Sequence, residues 1–330
     1  MPLLATKYDK RPSFFFNGHL ETIIPSLFYK VDRISYHRER LELSDGDFLD
    51  LDWMKNGKNR LIILSHGLEG DSHRHYIIRM AKCLFAAEWD ILAWNNRGCS
   101  GEMNRLPRFY HHGATEDIGA VIDRALKEAY EQIVLIGFSM GGGMQQKYLG
   151  EKRPDPRIKG AISFSVPCNV LDSANQLSKR GNRFYERRFI RKLKKKILLK
   201  SKLMRLPIDL EEIRNVKTFR QLDKAFTLKI HTEYKDADHF YGKIASDQYL
   251  VDITIPLLIV NALNDPMLGE RCYPYDLARE KENIFLETPK IGGHVGFIMP
   301  NGKGSYMEYV AERFIEEVII PFSQNQAQFH

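Results

Sequence analysis

The stretch Gln132-Ile-Val-Leu-Ile-Gly-Phe-Ser-Met-Gly-Gly-Gly143 decides how the rest of the chain is read. Its first half is an apolar run rich in β-branched residues, the mark of a strand buried on both faces. Its second half fits Gly-x-Ser-x-Gly, the sharp strand-to-helix turn that lifts a serine hydroxyl clear of a sheet. Such a turn is so tight that side chains at 137 and 141 would collide, hence the glycines. The pattern alone is weak, because at roughly 7% glycine a chain of this length shows one by accident about one time in ten. The weight lies in the apolar strand before it and the run of small residues that opens a helix after it.

Outward from this turn, further apolar runs alternate with helical patterns, as in a mostly parallel sheet covered by helices on both faces. Leu61–Ser65, Asp90–Trp94, Ile158–Ser165, Ile255–Asn261 and Asn283–Glu287 are the other expected strands. His75–Ala87 and Thr115–Tyr130 carry helical spacing; in the second, Ile118, Val121, Ile122, Ala125, Leu126 and Ala129 share one side behind a Thr115 cap. Arg40–Leu43 and Asp50–Trp53 around Ser44-Asp-Gly-Asp47 read as an antiparallel hairpin, and Ser305–Ile319 as the last helix. From Pro167 to Asp252 the alternation stops and only polar, basic helical sequence remains. The expected fold class is therefore α/β, with a core domain of residues 1–166 and 253–330 and an inserted helical cap of residues 167–252.

A serine hydroxyl is a weak nucleophile until a base, itself oriented by an acid, takes its proton. In this topology the partners follow in the order acid, then histidine, at the ends of later strands. Asp265 lies in Ala262-Leu-Asn-Asp-Pro266 just after the 255–261 strand, and His294 in Ile291-Gly-Gly-His-Val-Gly296 just after the 283–287 strand. Among eleven histidines, only His294 combines late position, glycine flanks and a preceding strand. Asp252 precedes its strand and Asp238 falls within the insertion, so Asp265 is preferred. The expected triad is Ser139, Asp265 and His294. Charge that develops on a carbonyl oxygen needs two backbone N–H donors already in place; Met140, after the serine, and Leu68, in His66-Gly-Leu-Glu-Gly70, are expected to supply this oxyanion hole. His66 reads as a structural hydrogen-bonding residue. Cys99, in Arg97-Gly-Cys-Ser-Gly101, lacks an elbow and is expected to shape the pocket wall. This chemistry calls for no metal and no organic cofactor.

Six pieces in fixed order carry a resemblance: Asn17-Gly-His-Leu-Glu-Thr-Ile23, His66–Gly70, Asn96-Arg-Gly-Cys-Ser-Gly-Glu102, Gly137-Phe-Ser-Met-Gly-Gly142, Asn261-Ala-Leu-Asn-Asp-Pro266 and Gly293-His-Val-Gly-Phe297. Through most of its length the chain resembles the YheT-like branch of the α/β-hydrolases, the AB hydrolase 4 family. The resemblance implies the α/β-hydrolase fold and places Ser139, Asp265 and His294 at the family's triad positions. It implies a serine hydrolase acting on short- to medium-chain acyl esters, or an acyltransferase passing the same acyl group to an alcohol. Where the family usually has two acids before the proline, this chain has Asn264-Asp265. Some relatives carry a membrane anchor that is not expected in this chain, so the resemblance does not imply membrane residence. The alternative from another class is a non-catalytic binding protein on a hydrolase scaffold, since fold alone implies no activity.

With 43% hydrophobic and 28% charged residues, the composition is that of an ordinary globular protein. The start of the chain breaks up after Leu4, against an export signal, and the apolar runs fall far short of the roughly 20 residues that cross a bilayer. Four scattered cysteines, with no CxxC pair, fit a reduced cytoplasm. The net charge of +7 sits in residues 179–205, where 13 Lys and Arg face one acid, Glu186. Tyr185, Phe189, Leu193 and Ile197 recur there every fourth position, giving an amphipathic helix with a cationic outer face. That face is either solvated or in contact with an anionic surface, a membrane leaflet or the phosphates of an acyl donor. Nucleic acid is not the expected partner, because no aromatic and basic recognition module accompanies the charge; a small-molecule acyl ester is.

Overall fold

The apolar runs read from the sequence lie side by side in one sheet. The computed structural model describes residues 3–29, 31, 32, 34–302 and 304–327, residues 325–327 as backbone only. Nine strands lie among them: β1 Leu3–Leu4, β2 His37–Glu42, β3 Phe48–Met54, β4 Arg60–Ser65, β5 Asp90–Asn95, β6 Gln132–Phe138, β7 Ile158–Phe164, β8 Leu257–Val260 and β9 Ile284–Glu287. Their order is β1-β9-β8-β7-β6-β4-β5-β3-β2. The β2–β3 hairpin and the β3–β5 pair are antiparallel, and every other neighbouring pair is parallel. Leu61 to Leu64 in β4 and Ile133, Val134 and Ile136 in β6 are fully buried, because helices cover both faces.

Helix α1, Gly18–Phe28, lies between β1 and β2, and α2, His75–Ala86, α3, Thr115–Ala125, and α4, Met140–Glu151, connect later strands. Ile118, Val121 and Ile122 of α3 join Met144 and Leu149 of α4 in one apolar core. Ile77, Met80 and Leu84 of α2 lie in a second core on the other face. Two expectations shift here. Thr115 is not a cap: Ala114 holds that position without a side-chain bond, and the Thr115 hydroxyl donates to Glu151 instead. The helix stops at Ala125 rather than Tyr130, because Tyr130 must bury its ring and donate to Asp90 (2.8 Å) where the chain turns into β6. Strand β8 starts at Leu257, since Pro256 has no N–H for the ladder.

Between β7 and β8 the regular structure is helical: α5 Val170–Ser178, α6 Arg183–Leu203, α7 Leu210–Asn215, α8 Phe219–Leu222 running through a π turn into α9 Leu228–Ile230, then α10 Ala237–Ile244 and a 3-10 turn, Asp247–Asp252. After β8 come α11, Tyr275–Glu280, and α12, Tyr306–Phe314, which continues through a π turn into α13, Ile320–Ala327. Ser305 caps α12 in a reciprocal box with Glu308. Among the described residues no helix is long and apolar enough to cross a membrane.

Helix α6 departs from the expected one-sided cationic face. Tyr185 and Ile197 are buried as expected, but so is Lys200, whose ammonium donates to Asn104 Oδ1 (2.6 Å) and to the Leu106 and Arg108 carbonyls. Burial pushes Lys200 down to about 8. Lys196 likewise turns inward to Glu69 (2.6 Å). A helix wedged between the 104–110 loop and the other inserted helices has no single solvent side, so its cations divide between water and interior.

Candidate active site

The carboxyl ends of parallel strands are where open α/β sheets gather their ligand-binding groups, and Ser139 lies there, between β6 and α4. Its backbone is strained, at φ 52° and ψ −121°. The Ser139 N–H donates to the Phe164 carbonyl (2.8 Å), and the Ser139 carbonyl accepts from Gly143 (3.1 Å), which fixes the turn. A Cβ at Gly141 would lie 2.4 Å from the Ser65 carbonyl oxygen, and one at Gly137 would lie 2.6 Å from Gly142 Cα. Both clashes are with backbone, so the two glycines are steric necessities.

Three distant segments converge on the hydroxyl. His294 Nε2 is 2.9 Å from Ser139 Oγ, and His294 Nδ1 is 2.8 Å from Asp265 Oδ2. The second oxygen of Asp265 accepts the Met267 N–H at 2.8 Å. The Asp265 side chain is fully buried, whereas His294 stays partly open. A buried carboxylate on Nδ1 holds the ring so that Nε2 faces the hydroxyl and can receive its proton. Met140 N–H begins α4 and so has no intrahelical acceptor. In the loop after β4, the Gly67 N–H donates to Tyr76 and the Glu69 N–H to Tyr110, leaving Leu68 N–H without an acceptor among the described residues. Leu68, Met140, Ser139 and His294 all line one cavity.

His66 has the structural role read for it. Its Nδ1–H donates to the Gly67 carbonyl (2.7 Å), and its Nε2 accepts from the Asn96 N–H (3.1 Å). Burial lowers its pKa to about 4, so the ring is neutral and clamps the loop. Cys99 is disfavoured as a nucleophile: burial pushes its thiol up, away from thiolate, by more than the Lys196 ammonium 3.4 Å from its sulfur pulls it down. Asp238 pairs with Arg220 on the surface (2.6 Å) and Asp252 is exposed, so neither competes with Asp265.

The residues that hold the histidine loop were not legible in the sequence. Glu21 Oε2 accepts from Gly292 N–H (3.0 Å) and from the Asn264 amide (2.6 Å), whose oxygen accepts from Gly293 N–H (3.0 Å). The Thr22 hydroxyl accepts from His294 N–H (2.8 Å), and Ser165 Oγ from Val295 N–H (2.9 Å). The Asn17–Ile23 segment thus ties down the loop that carries His294. It also accounts for Asn264 before Asp265, because an amide there can donate to buried Glu21 where a second carboxylate would repel it. Replacing Glu21 with alanine is expected to lower kcat about 10- to 100-fold with little change in KM, since small displacements of a reacting group are that costly. Steady-state kinetics on a soluble ester would check it, and an unchanged kcat would remove this role.

Two cavities meet at Ser139. The larger, about 1140 Å³ of empty space with its open mouth included, runs beneath the inserted helices. Phe109, Val170, Leu177, Phe189, Leu222 and Phe226 give it a largely apolar wall. The other shares Ser139, His294, Leu68, Phe189 and Met267 with the first but is lined by Arg74, His75, Arg188 and Lys192.

The family model described as the alpha/beta hydrolase fold matches residues 60–299. The chain belongs to the α/β-hydrolase family. Within it the chain falls in the YheT-like branch, being 32% identical to YheT of Escherichia coli (strain K12), which carries an esterase designation, over 86% of this chain and 85% of that one. It is 27% identical to the phospholipase ABHD3 of Bos taurus, covering 91% of this chain and 76% of the relative, and 25% identical to the human monoacylglycerol lipase ABHD2, covering 90% and 75%. Among solved structures it is similar in fold to the Pyrococcus furiosus esterase Pf2001, with a TM-score of 0.59 at 17% identity over 88% of this chain and 96% of that one.

Proposed function

We propose that the protein is a serine hydrolase cleaving carboxylic esters through an acyl-enzyme on Ser139. One observation carries the reading: the unbroken Ser139–His294–Asp265 hydrogen-bond chain, at 2.9 and 2.8 Å, opens into an apolar cavity. In this reading Ser139 Oγ attacks the ester carbonyl while His294 Nε2 takes its proton. Asp265 stabilises the imidazolium that forms, and the N–H groups of Leu68 and Met140 receive the charge on the oxyanion. Collapse of the tetrahedral intermediate breaks the bond to the alcohol, which leaves with the proton from His294. Water, deprotonated by the same imidazole, then releases the carboxylic acid and restores the serine. Residues 167–252 serve as a cap over the core of 1–166 and 253–330, their apolar side chains walling the acyl group of a short- to medium-chain ester.

A fluorophosphonate probe is expected to label the wild-type protein at Ser139, and a panel of p-nitrophenyl esters to give its best kcat/KM at short to medium acyl length. Wild-type protein that neither reacts with the probe nor turns over any ester in the panel would abandon this reading for the binding-protein one. Added ethanol separates hydrolysis from transfer, since ethyl ester among the products marks an acyltransferase.

A further inference from the structure

We propose that Arg74, Arg188 and Lys192 form an anion-binding subsite for the alcohol portion of the ester, so that the enzyme prefers acyl esters of phosphate-bearing alcohols to neutral or cationic ones. The proposal rests on the ester-hydrolase reading and adds to it the chemistry of the leaving group.

The two cavities that join at Ser139 differ in kind. An ester whose carbonyl lies against the Ser139 hydroxyl extends its two halves away from that point. The apolar cavity suits the acyl chain, which leaves the cavity of Arg74, Arg188 and Lys192 for the alcohol. Arg188 and Lys192 are one turn apart on α6 and so share a face. Arg74 stands across from them at the start of α2, where its guanidinium donates to the Glu69 carbonyl (2.7 Å). That helix begins without a side-chain cap, so its positive end adds to the same field.

The inward cations of α6 separate into two groups. Lys194 donates to the Arg214 and Val216 carbonyls, Lys196 to Glu69, and Lys200 to Asn104, so each is satisfied by the protein itself. Arg188 and Lys192, both half-buried, have no hydrogen bond or ion pair among the described residues. The nearby acids Glu69 and Asp71 pull Lys192 back up without cancelling its downward shift, and neither is paired with it. Glu69 is bound to Lys196 and to the Tyr110 hydroxyl, and Asp71 accepts from the His73 N–H. Burial and mutual repulsion, from Arg74 and Arg191 on Arg188 and from Arg74 and Arg188 on Lys192, push both groups down. His75, held to about 4 by burial and by Arg79 and Arg74, is neutral and offers a hydrogen bond without further charge. Half-buried cations without a directly paired counterion are costly. A phosphate placed among them relieves that cost with charge-assisted hydrogen bonds.

Three octanoyl esters that differ only in the alcohol test this directly: glycerol phosphate, glycerol and choline. At low salt, kcat/KM is expected to be about tenfold or more higher for the phosphate ester than for the glycerol ester, with the choline ester last. The advantage should shrink as salt rises. Arg188→Gln combined with Lys192→Gln should bring the phosphate-to-glycerol ratio to within about twofold, while Arg188→Lys keeps most of it. The ratio is internal to each protein, so partial misfolding cannot mimic its loss. A wild-type enzyme that hydrolyses the glycerol ester as well as the phosphate ester overturns the proposal, as does a double Gln variant that keeps the wild-type ratio. Comparing the monomeric phosphate ester with vesicles of a long-chain phosphatidic acid shows whether the phosphate comes from a soluble alcohol or a lipid headgroup. Should no ester be turned over, the hydrolase reading has failed and the subsite is judged by calorimetry. Ser139→Ala protein titrated with glycerol 3-phosphate would then show binding that the two Gln substitutions abolish, and absence of binding overturns the subsite.

Discussion

Ser139→Ala is expected to lower kcat on a p-nitrophenyl ester by about 10⁵- to 10⁶-fold while leaving the fold and KM nearly intact. The size follows from the way the three groups act as a unit. His294 can take a proton only from a hydroxyl within its reach, and among the described residues that hydroxyl is Ser139, at 2.9 Å. Removing His294 is expected to cost about as much, and combining the two changes should add little, because the second removes a partner that already has nothing to act on. Asp265→Asn is expected to cost about 10⁴-fold, since an amide oriented with its N–H₂ toward Nδ1 forces the wrong tautomer on the ring. On the proposed mechanism the residual rate would report the Leu68 and Met140 donors and the binding of the ester. Rates measured by stopped assay over hours would reach this floor, and a Ser139→Ala protein retaining more than about a hundredth of wild-type kcat would mean the nucleophile lies elsewhere.

The sequence shows the strand-forming runs and the turn that carries Ser139 because both are written locally. Buried parallel strands read as unbroken apolar runs, and the elbow needs glycine at 137 and 141 for reasons confined to a few residues. Asp265 and His294 follow from position relative to strand ends. What the sequence hides is pairwise and distant. Nothing in Asn17–Ile23 indicates that Glu21 will accept from Gly292, or Thr22 from His294, because no local rule links a helix near the start to a loop near the end. A glutamate at 2% exposure in a first helical turn is a signal only once burial is known. The division of α6 between water and interior is hidden for the same reason: a run of lysines looks alike whether its partners are solvent, as for Lys195, or buried carbonyls, as for Lys200. The strong fourfold spacing of Tyr185, Phe189, Leu193 and Ile197 marks one apolar line, whereas the helix is enclosed on more than one side. Thr115 fails as a cap by one residue, a boundary that tertiary contact with Glu151 decides.

The largest loss of stability is expected at a residue without any contact to the hydroxyl, Arg97. Its side chain is 1% exposed and forks onto Asp117 (2.8 and 2.6 Å) while its other arm reaches Asp47 (2.9 Å) and Asp45 (2.8 Å). Asp47 is held below its ordinary value, burial being outweighed by donors from Asn104, the Arg105 N–H and Arg97. Asp117 goes the other way, pushed up by burial that the Arg97 fork only partly offsets. Arg97→Leu removes the guanidinium that both buried carboxylates share, and stranding a buried charge costs about 3–5 kcal/mol, a fall in Tm of roughly 4–7 °C for a chain of this length. The excess of that loss over the worth of the pair is testable: adding Asp117→Leu should restore much of the stability, because a packed apolar pair replaces an uncompensated carboxylate. Thermal unfolding of the wild type, the single and the double variant separates the cases, and a single variant within about 1 kcal/mol of wild type would show the network to be energetically idle. The effect should reach the site as well. Asn96, next in the chain, donates to His66 Nε2, and His66 in turn holds the Gly67 carbonyl beside Leu68. A loosened Arg97 therefore slackens the loop that presents the Leu68 N–H, and below its unfolding temperature the single variant should show a reduced kcat with the Ser139 labelling site still present.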